Sequence, residues 1–500
     1  MIEEKSSHKI LIFIVAYNAE KHLEKVLDRI PSHLFTKYDY EILVIDDSSV
    51  DGTFEIGKQY LLSKRMPNLK ILFNPENQGY GGNQKLGYYY AIIHNFDAVI
   101  LLHGDGQYPP ELIEEMITPI LNNEADAVFG SRMLVRWKAL KGGMPLYKYF
   151  GNRILTFLQN KILGSQLSEF HSGYRAYSVK ALNSIPFEKN SNDFHFDTEI
   201  IIQFILKNLR IKEISIPTYY GDEICYVNGL KYAWHVINAT IKGRFHKPYI
   251  LYERKFDVGQ NKKYYLPKLG YLSSHTMAIN AVKEGSNVLD LGCGEGYIAN
   301  ELIKKGCRVT GIGSVTIKNR NIFDDFFQIN LNEPAKLPEM DKFDYILLLD
   351  IIEHIDNPEL FLDKIREKSK RKRPVVIVTT PNIAFFIIRV QLLFSHFNYG
   401  ELGILDFTHK RFFTFKSLAK AVRESGFKIR KVSGIPVPFP KAIAKNFISI
   451  ALLNLNKILI GLSKSLFSYQ IYMEIVPTPV VSELLEYSIL EGSKQDSNIS

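Results

Sequence analysis

The sequence predicts an α/β protein of two domains, and three features carry that expectation. Apolar runs of strand length alternate with segments of helical periodicity, the pattern of parallel sheets covered on both faces by helices. In the first half, several of these runs end in carboxylates or glycines, and open α/β sheets bind ligands at the carboxyl ends of their strands. Past residue 286 the pattern restarts with a strand and a glycine-rich turn. The 500-residue length suits two large domains and an extension. A composition of 46% apolar and 23% charged residues is ordinary for globular chains and supplies full cores.

The run 10–16 is a buried strand that ends at Tyr17-Asn18; a helix follows with Leu23, Val26, Leu27 and Ile30 on one face. The run 40–45 ends in Asp46-Asp47-Ser48-Ser49-Val50-Asp51-Gly52-Thr53, too acidic for a turn alone, although Asp and Ser are also turn and cap residues. The run 70–73 leads to Gly79-Tyr80-Gly81-Gly82-Asn83 and a helix. The run 98–102 ends in His103-Gly104-Asp105-Gly106-Gln107-Tyr108-Pro109-Pro110-Glu111. Its glycines permit a sharp turn, and proline suits the first helical position that follows. A carboxylate held there suits a hard divalent cation, and the cation suits a pyrophosphate. In a parallel sheet Asp46, Asp47, Gly79 and Asp105 converge on one edge. The run 127–129 precedes Gly130-Ser131-Arg132, and Phe196-Asp197-Thr198-Glu199 precedes an apolar helix at 200–206.

These motifs resemble, in order, those of family 2 glycosyltransferases, with the nearest likeness to the dolichol-phosphate mannose synthase branch, over residues 8–235. The resemblance implies a GT-A fold, a nucleotide-diphosphate sugar donor and inversion of the anomeric centre. It implies that Ala16, Tyr17, Asp46 and Asp47 meet the nucleotide, that Gly79 belongs to the donor site, and that Gln107 lies near the sugar phosphate. Asp105 stands at the second acidic position of the Asp-x-Asp motif, where it would hold Mg²⁺ or Mn²⁺. His103 stands at the first, and imidazole tolerates Mn²⁺ better than Mg²⁺. Arg132 is a candidate cation for the diphosphate or an acceptor phosphate, and Arg175 for a phosphate. Asp197 is either the general base for an acceptor hydroxyl or a helix N-cap. A lipid-phosphate acceptor is already anionic and needs no base.

In the second half, Asp290, Gly292, Gly294 and Gly296 lie on a strand and its glycine-rich turn, before a helix at 297–305. They resemble motif I of class I S-adenosylmethionine-dependent methyltransferases. The runs 344–355 and 375–382 resemble that family's fourth and fifth strands, and the resemblance spans 268–435. It implies a Rossmann-like fold and S-adenosylmethionine held by Asp290, Gly292, Gly294, Gly296, Asn330 and Asp350. Gly313 departs from the pattern, standing where a carboxylate takes the ribose hydroxyls, and Asn330 replaces an aspartate that meets the adenine amine. Loss of a charged acceptor costs about 1.5–3 kcal/mol, so a live methyltransferase and a domain without catalysis both stay open. His354 is a candidate methyl-transfer base, or structural.

The expected organisation is a glycosyltransferase domain at 1–235, a basic and aromatic linker at 236–267, a methyltransferase-like domain at 268–440, and an amphipathic helical extension with a polar tail at 441–500. The linker (241–248 and 262–265), the cluster 368–373 and the apolar stretch 447–471 with Lys457 and Lys464 either contact an anionic membrane surface or are solvated or packed. A net charge of +9 permits phosphate or membrane contact. Dispersed basic residues without a recognisable module argue against nucleic acid. Cys225, Cys293 and Cys307 have no pairing or zinc spacing, and the first residues carry no secretory pattern, which leads to a cytoplasmic expectation. The reading as a whole is a bifunctional enzyme of polysaccharide biosynthesis: inverting glycosyl transfer to a lipid-phosphate or glycan acceptor, and methyl transfer on a related glycan or lipid-linked sugar. Its alternatives are a glycosyltransferase with a silent methyltransferase-like scaffold and a non-catalytic nucleotide-binding membrane adaptor.

Overall fold

The computed structural model describes residues 7–64, 66, 68–135, 137–218, 228–246, 252–259, 267–314, 320–369, 372–400, 402–442, 446–481 and 484. The chain divides into two compact units, Met1–Lys262 and Lys263–Ser500. The expected basic residues at 247–248 and 262–265, Lys370, Arg371 and the polar tail at 491–500 lie outside the described residues.

Seven strands form the sheet of the first unit: β1 (Lys9–Ala16), β2 (Asp39–Asp46), β3 (Leu69–Phe73), β4 (Ala98–His103), β5 (Ala127–Ser131), β6 (Arg175–Ser178) and β7 (Ile211–Ser215). Their spatial order is β3-β2-β1-β4-β6-β5-β7. Successive residues of a strand face opposite sides of its sheet. Accordingly Ile10, Ile12 and Ile14 join one core, and Leu11 and Phe13 join the other. The expected parallel sheet needs one correction: β6 runs antiparallel to both β4 and β5. It has four residues and begins with a buried arginine, so it lacks an apolar run by which to be read.

The second unit contains β8 (Asn287–Leu291), β9 (Arg308–Gly313), β10 (Asp325–Gln328), β11 (Tyr345–Leu349), β12 (Val375–Pro381), β13 (Phe427–Ile435) and β14 (Gln470–Pro477). The order is β10-β9-β8-β11-β12-β14-β13, with β14 antiparallel to both neighbours. The carboxyl ends of β8 to β12 therefore share one edge.

Two expected boundaries move. The helix Gly229–His246 packs on the helices Leu146–Leu163 and Phe196–Leu206, and Phe256 and Val258 enter the first unit's core. Most of the described residues at 236–259 thus complete the first domain rather than link two. At the other end, β14 lies inside the second sheet with Ile471, Met473 and Ile475 fully buried, so this stretch is no extension. The expected helix is present at Phe447–Leu462, before it, and both of its faces carry apolar residues. Its buried face carries Ser449, Leu453, Asn456 and Ile460, while Phe447, Ile448, Ile458 and Leu462 are exposed. Asn456 is satisfied on the buried face, where its Oδ1 accepts from Val437 N (2.8 Å) and its Nδ2 donates to Phe467 O (3.0 Å). Among the described residues no helix is long and apolar enough to cross a membrane.

Candidate functional sites

In the first unit, register brings the site together. Ala16 pairs with Asp46 and Val15 with His103, while Asp47 N donates to Ala16 O and Gly104 N to Val15 O, both at 2.9 Å. The ends of β2, β1 and β4 are thus adjacent on one edge. Asp46 is 1% exposed. Its Oδ1 accepts from Ser49 N (3.0 Å) and Oγ (2.5 Å), and its buried Oδ2 has no hydrogen-bond partner. Burial pushes its carboxyl above the usual range. An orphan carboxylate oxygen on a ligand edge fits a donor group of a bound molecule. The neighbouring loops are tied together, since Asn18 N donates to Ser49 Oγ (2.8 Å) and Val50 N to Asn18 Oδ1 (3.1 Å), with Tyr17 exposed beside them.

Asp47 and Gly79 also organise the loops around them. Asp47 Oδ1 accepts from Asn74 Nδ2 (2.7 Å) and Gln78 N (2.8 Å), which organises the loop after β3. Gly79 has φ +78, and a Cβ there would stand 2.7 Å from Asn192 O. With Gly81 N donating to Asn192 O (2.8 Å), these glycines let the segment 191–196 pack against the helix Tyr80–Ile93. This close approach is a structural reason for glycine at position 79.

Asp105 is half-buried on the turn after β4. Its Oδ1 accepts from Gln107 N (3.0 Å), and its other oxygen makes no hydrogen bond among the described residues. This hard oxygen donor fits Mg²⁺ or Mn²⁺. His103 points into a different environment. Its ring packs edge-on against Tyr80 and Tyr108 (centroids 5.6 and 4.9 Å), and its Nε2 lies 3.3 Å from Tyr80 Oη. Burial holds the imidazole below its usual pKa, hence neutral. The expected ligand pair therefore reduces to Asp105, with His103 heading an internal chain.

That chain continues through residues expected to do chemistry. Tyr80 Oη donates to Asp197 Oδ2 (2.9 Å), and Gln84 Nε2 donates to Asp197 Oδ1 (3.3 Å). Asp197 is 6% exposed and is the second residue of the helix Phe196–Leu206, so it is not the N-cap. With both oxygens engaged, it is placed to hold Tyr80 rather than to meet an acceptor. Arg175 is 1% exposed. Its Nε donates to Ser172 O (2.8 Å), Nη2 to Phe170 O (2.9 Å) and Nη1 to Asp197 O (3.2 Å), and its guanidinium lies over the Phe129 ring. Its expected contact with phosphate is corrected, because every arm of the fork is turned inward. Arg132 forms a two-pronged pair with buried Glu169 through Nε (3.0 Å) and Nη2, and Nη2 also reaches His171 O (3.1 Å). Burial would raise the Glu169 carboxyl, but Arg132 holds it below the usual range. A guanidinium matched to a carboxylate in this way offers a phosphate little net charge.

In the second unit, Asp290 is 3% exposed and its Oδ2 is buried without a partner; burial pushes its carboxyl up to about 7. Gly292, Gly294 and Gly296 have φ of +82, +50 and +80, the left-handed region that favours glycine. Gly292 N and Cys293 N donate to Ile312 O, which pins the turn to β9, and the space beside Gly294 is open for 4 Å. An orphan carboxylate oxygen beside an open glycine turn fits S-adenosylmethionine. Gly313 ends β9, and a Cβ there would meet nothing closer than 3.6 Å, so its missing carboxylate is not forced by packing. Asn330 is exposed, and its Oδ1 accepts from Asn332 N (3.1 Å).

Asp350 is corrected as a cofactor ligand. Lys268 Nζ (2.7 Å) donates to Oδ2, and Thr379 Oγ1 and Gln470 Nε2 (both 2.8 Å) donate to Oδ1. Burial would raise its carboxyl, but Lys268 and these donors hold it well below the usual range. Asp350 joins β11, β12 and β14 instead. His354 is half-buried, with Nδ1 3.1 Å from Thr408 O and its ring beside His409 (centroids 4.9 Å). Sequence reasoning missed His409 and the buried Glu353, since a loop histidine distant along the chain leaves no spacing pattern.

The family description Glycosyl transferase family 2 matches residues 11–185, and the description Methyltransferase domain matches 268–432. A UDP-N-acetylglucosamine--dolichyl-phosphate N-acetylglucosaminyltransferase of Methanococcus voltae is 30% identical over 223 residues, 43% of this chain and 86% of that protein. An undecaprenyl-phosphate mannosyltransferase of Micrococcus luteus is 24% identical over 209 residues, covering 42% of this chain and 82% of that one. For a dolichol-phosphate mannosyltransferase of Pyrococcus furiosus the figures are 26% over 224 residues, 43% and 56%. The chain belongs to glycosyl transferase family 2 and carries a methyltransferase domain, as the sequence motifs predicted.

Proposed function

We propose that the first domain transfers a sugar, with inversion, from a nucleoside-diphosphate donor to a lipid-phosphate or glycan acceptor. The observation that carries this reading is the orphan Oδ2 of Asp46, on the same sheet edge as the Asp105 turn, with the end of β1 between them. Asp46 and the backbone of Ala16 and Tyr17 would receive the nucleoside, and Gln107 would lie at the sugar phosphate. Asp105 would hold Mg²⁺ or Mn²⁺, which when bound offsets the charge of the departing diphosphate. Tyr80, Asp197 and Arg175 position His103 behind that turn. An acceptor phosphate attacks without a base, in keeping with the inward-facing Asp197. The polyprenyl-phosphate acceptors in the relatives' names support a lipid phosphate. Peripheral membrane contact has its own support in Leu146, Phe150, Ile154 and Phe157, exposed on one stripe of the helix Leu146–Leu163. Nucleoside diphosphate release from UDP-sugars tests the reading. Asp105→Asn is expected to slow it by about 10²–10³, and no metal-dependent release by the unaltered protein would refute it in favour of an adaptor.

For the second domain the proposal is methyl transfer from S-adenosylmethionine to a related glycan or lipid-linked sugar. Gly313 favours the second reading, a scaffold without catalysis. Calorimetric titration of the full chain with S-adenosylhomocysteine separates them. Micromolar binding, about −8 kcal/mol, supports the enzyme, and no heat from folded protein supports the scaffold.

A further inference from the structure

After β11 the chain turns at Asp350 (φ +58) into the short helix Ile352–His354. The loop 404–412 folds over it, and Lys410 N (2.8 Å) and Arg411 N (3.1 Å) donate to Glu353 O. This brings His409 beside His354. One ligating atom from each of Glu353, His354 and His409 lies within 4.8 Å of the others.

The two imidazoles are prepared alike. His354 Nδ1 lies 3.1 Å from Thr408 O, and His409 Nδ1 lies 2.9 Å from Ile404 O. A carbonyl oxygen only accepts, so each Nδ1 carries a proton, which leaves Nε2 as the ring nitrogen that can ligate. A backbone carbonyl at the far nitrogen is the usual support of a metal-binding histidine. Glu353 supplies an independent observation. It is 1% exposed, yet neither carboxylate oxygen has a hydrogen-bond partner. The Thr380 hydroxyl, also buried, and the backbone of Glu353 itself lie close enough to favour its charge, but neither makes a hydrogen bond to it. The nearby cations are engaged elsewhere: Lys268 with Asp350, Lys410 with Asp356 and Arg411 with Glu359. A buried carboxylate without a partner is costly; a proton relieves one standing alone, and beside two imidazoles a cation can take that place.

We propose that Glu353, His354 and His409 form a binding site for a divalent first-row transition-metal cation. Two nitrogens and one oxygen favour Mn²⁺, Fe²⁺ or Zn²⁺ over the all-oxygen preference of Mg²⁺ and Ca²⁺. Metal–ligand bonds of about 2.0–2.2 Å place neighbouring ligand atoms about 3–3.5 Å apart, so from a separation of up to 4.8 Å the cluster closes by less than about 2 Å, within the swing of two half-buried rings. Three protein ligands leave positions open. The site follows β11 on the edge where the cofactor cradle lies, so an oxygen of the methyl acceptor is the expected fourth ligand; this last step rests on the methyltransferase reading.

Pulsed electron paramagnetic resonance of Mn²⁺ added to the chelator-stripped full chain tests the site without any assay of methyl transfer. The expected result is Mn²⁺ coupled to imidazole nitrogen, retained in His103→Gln and weakened at least tenfold in affinity in His354→Gln or His409→Gln. No nitrogen-coupled Mn²⁺ in the unaltered protein overturns the proposal. So does nitrogen coupling lost in His103→Gln and kept in both other variants, which would move the ion to the first domain. Loss of S-adenosylhomocysteine binding alone, with Mn²⁺ coupling intact, refutes the methyltransferase reading and leaves the metal site standing.

Discussion

Replacing Asp290 by Asn tests the carboxylate at the centre of the cofactor cradle. Burial pushes this carboxyl from the usual 3.8 up to about 7. The folded state therefore holds the proton more tightly than the unfolded chain does. Its stabilisation is complete below about pH 4 and is lost as the pH rises through about 7. At about 1.4 kcal/mol per pH unit over roughly three units, the loss is about 4 kcal/mol. Asn cannot ionise, so the variant is expected to gain up to about this amount over the unaltered chain between pH 4 and pH 8. Both tryptophans, Trp137 and Trp234, lie in the first unit. Urea unfolding followed by tryptophan fluorescence reports that unit, while far-UV circular dichroism reports both. The difference is expected in the transition seen by dichroism and not by fluorescence. Parallel pH profiles in the two proteins would refute the buried, unpartnered carboxylate.

Tyr80→Phe removes the hydroxyl that donates to Asp197, leaving that oxygen with Arg175 at 3.8 Å. A loss of about 1.5–3 kcal/mol is expected for a hydrogen bond to a charged group, read from the urea midpoint by tryptophan fluorescence; an unchanged midpoint contradicts the internal chain. Gly313→Asp has room for its Cβ, and restoring a charged acceptor worth about 1.5–3 kcal/mol predicts S-adenosylhomocysteine binding tighter by about ten- to a hundredfold. Calorimetry showing no gain would mean that the ribose does not reach the end of β9.

Much of the fold was legible because strand and helix periodicities are local. The alternation of Ile10, Leu11, Ile12, Phe13 and Ile14 states which sheet face each residue covers, and the structure follows it. The acidic and glycine turns after β2, β4 and β8 were legible for the same reason: a strand end, a turn and a helix start are neighbours in sequence. The antiparallel direction of β6 and β14 was not, because it is set by pairing with strands distant along the chain, and β6 in addition lacks an apolar run to mark it.

The site divides along the same line. Composition and motif position placed Asp46, Asp105, Asp290 and the glycines of β8's turn at or beside strand ends, where the structure also has them. Only the tertiary structure decided which charges are available there. Arg175 and Asp350 have the residue types of ligand-binding groups, yet backbone carbonyls satisfy one and Lys268, Thr379 and Gln470 satisfy the other. Glu353 meets His409 only after the loop 404–412 folds back. Sequence determines what a side chain can bind within its own turn of chain; whether a buried charge is already matched depends on partners brought from distant residues, which packing alone selects.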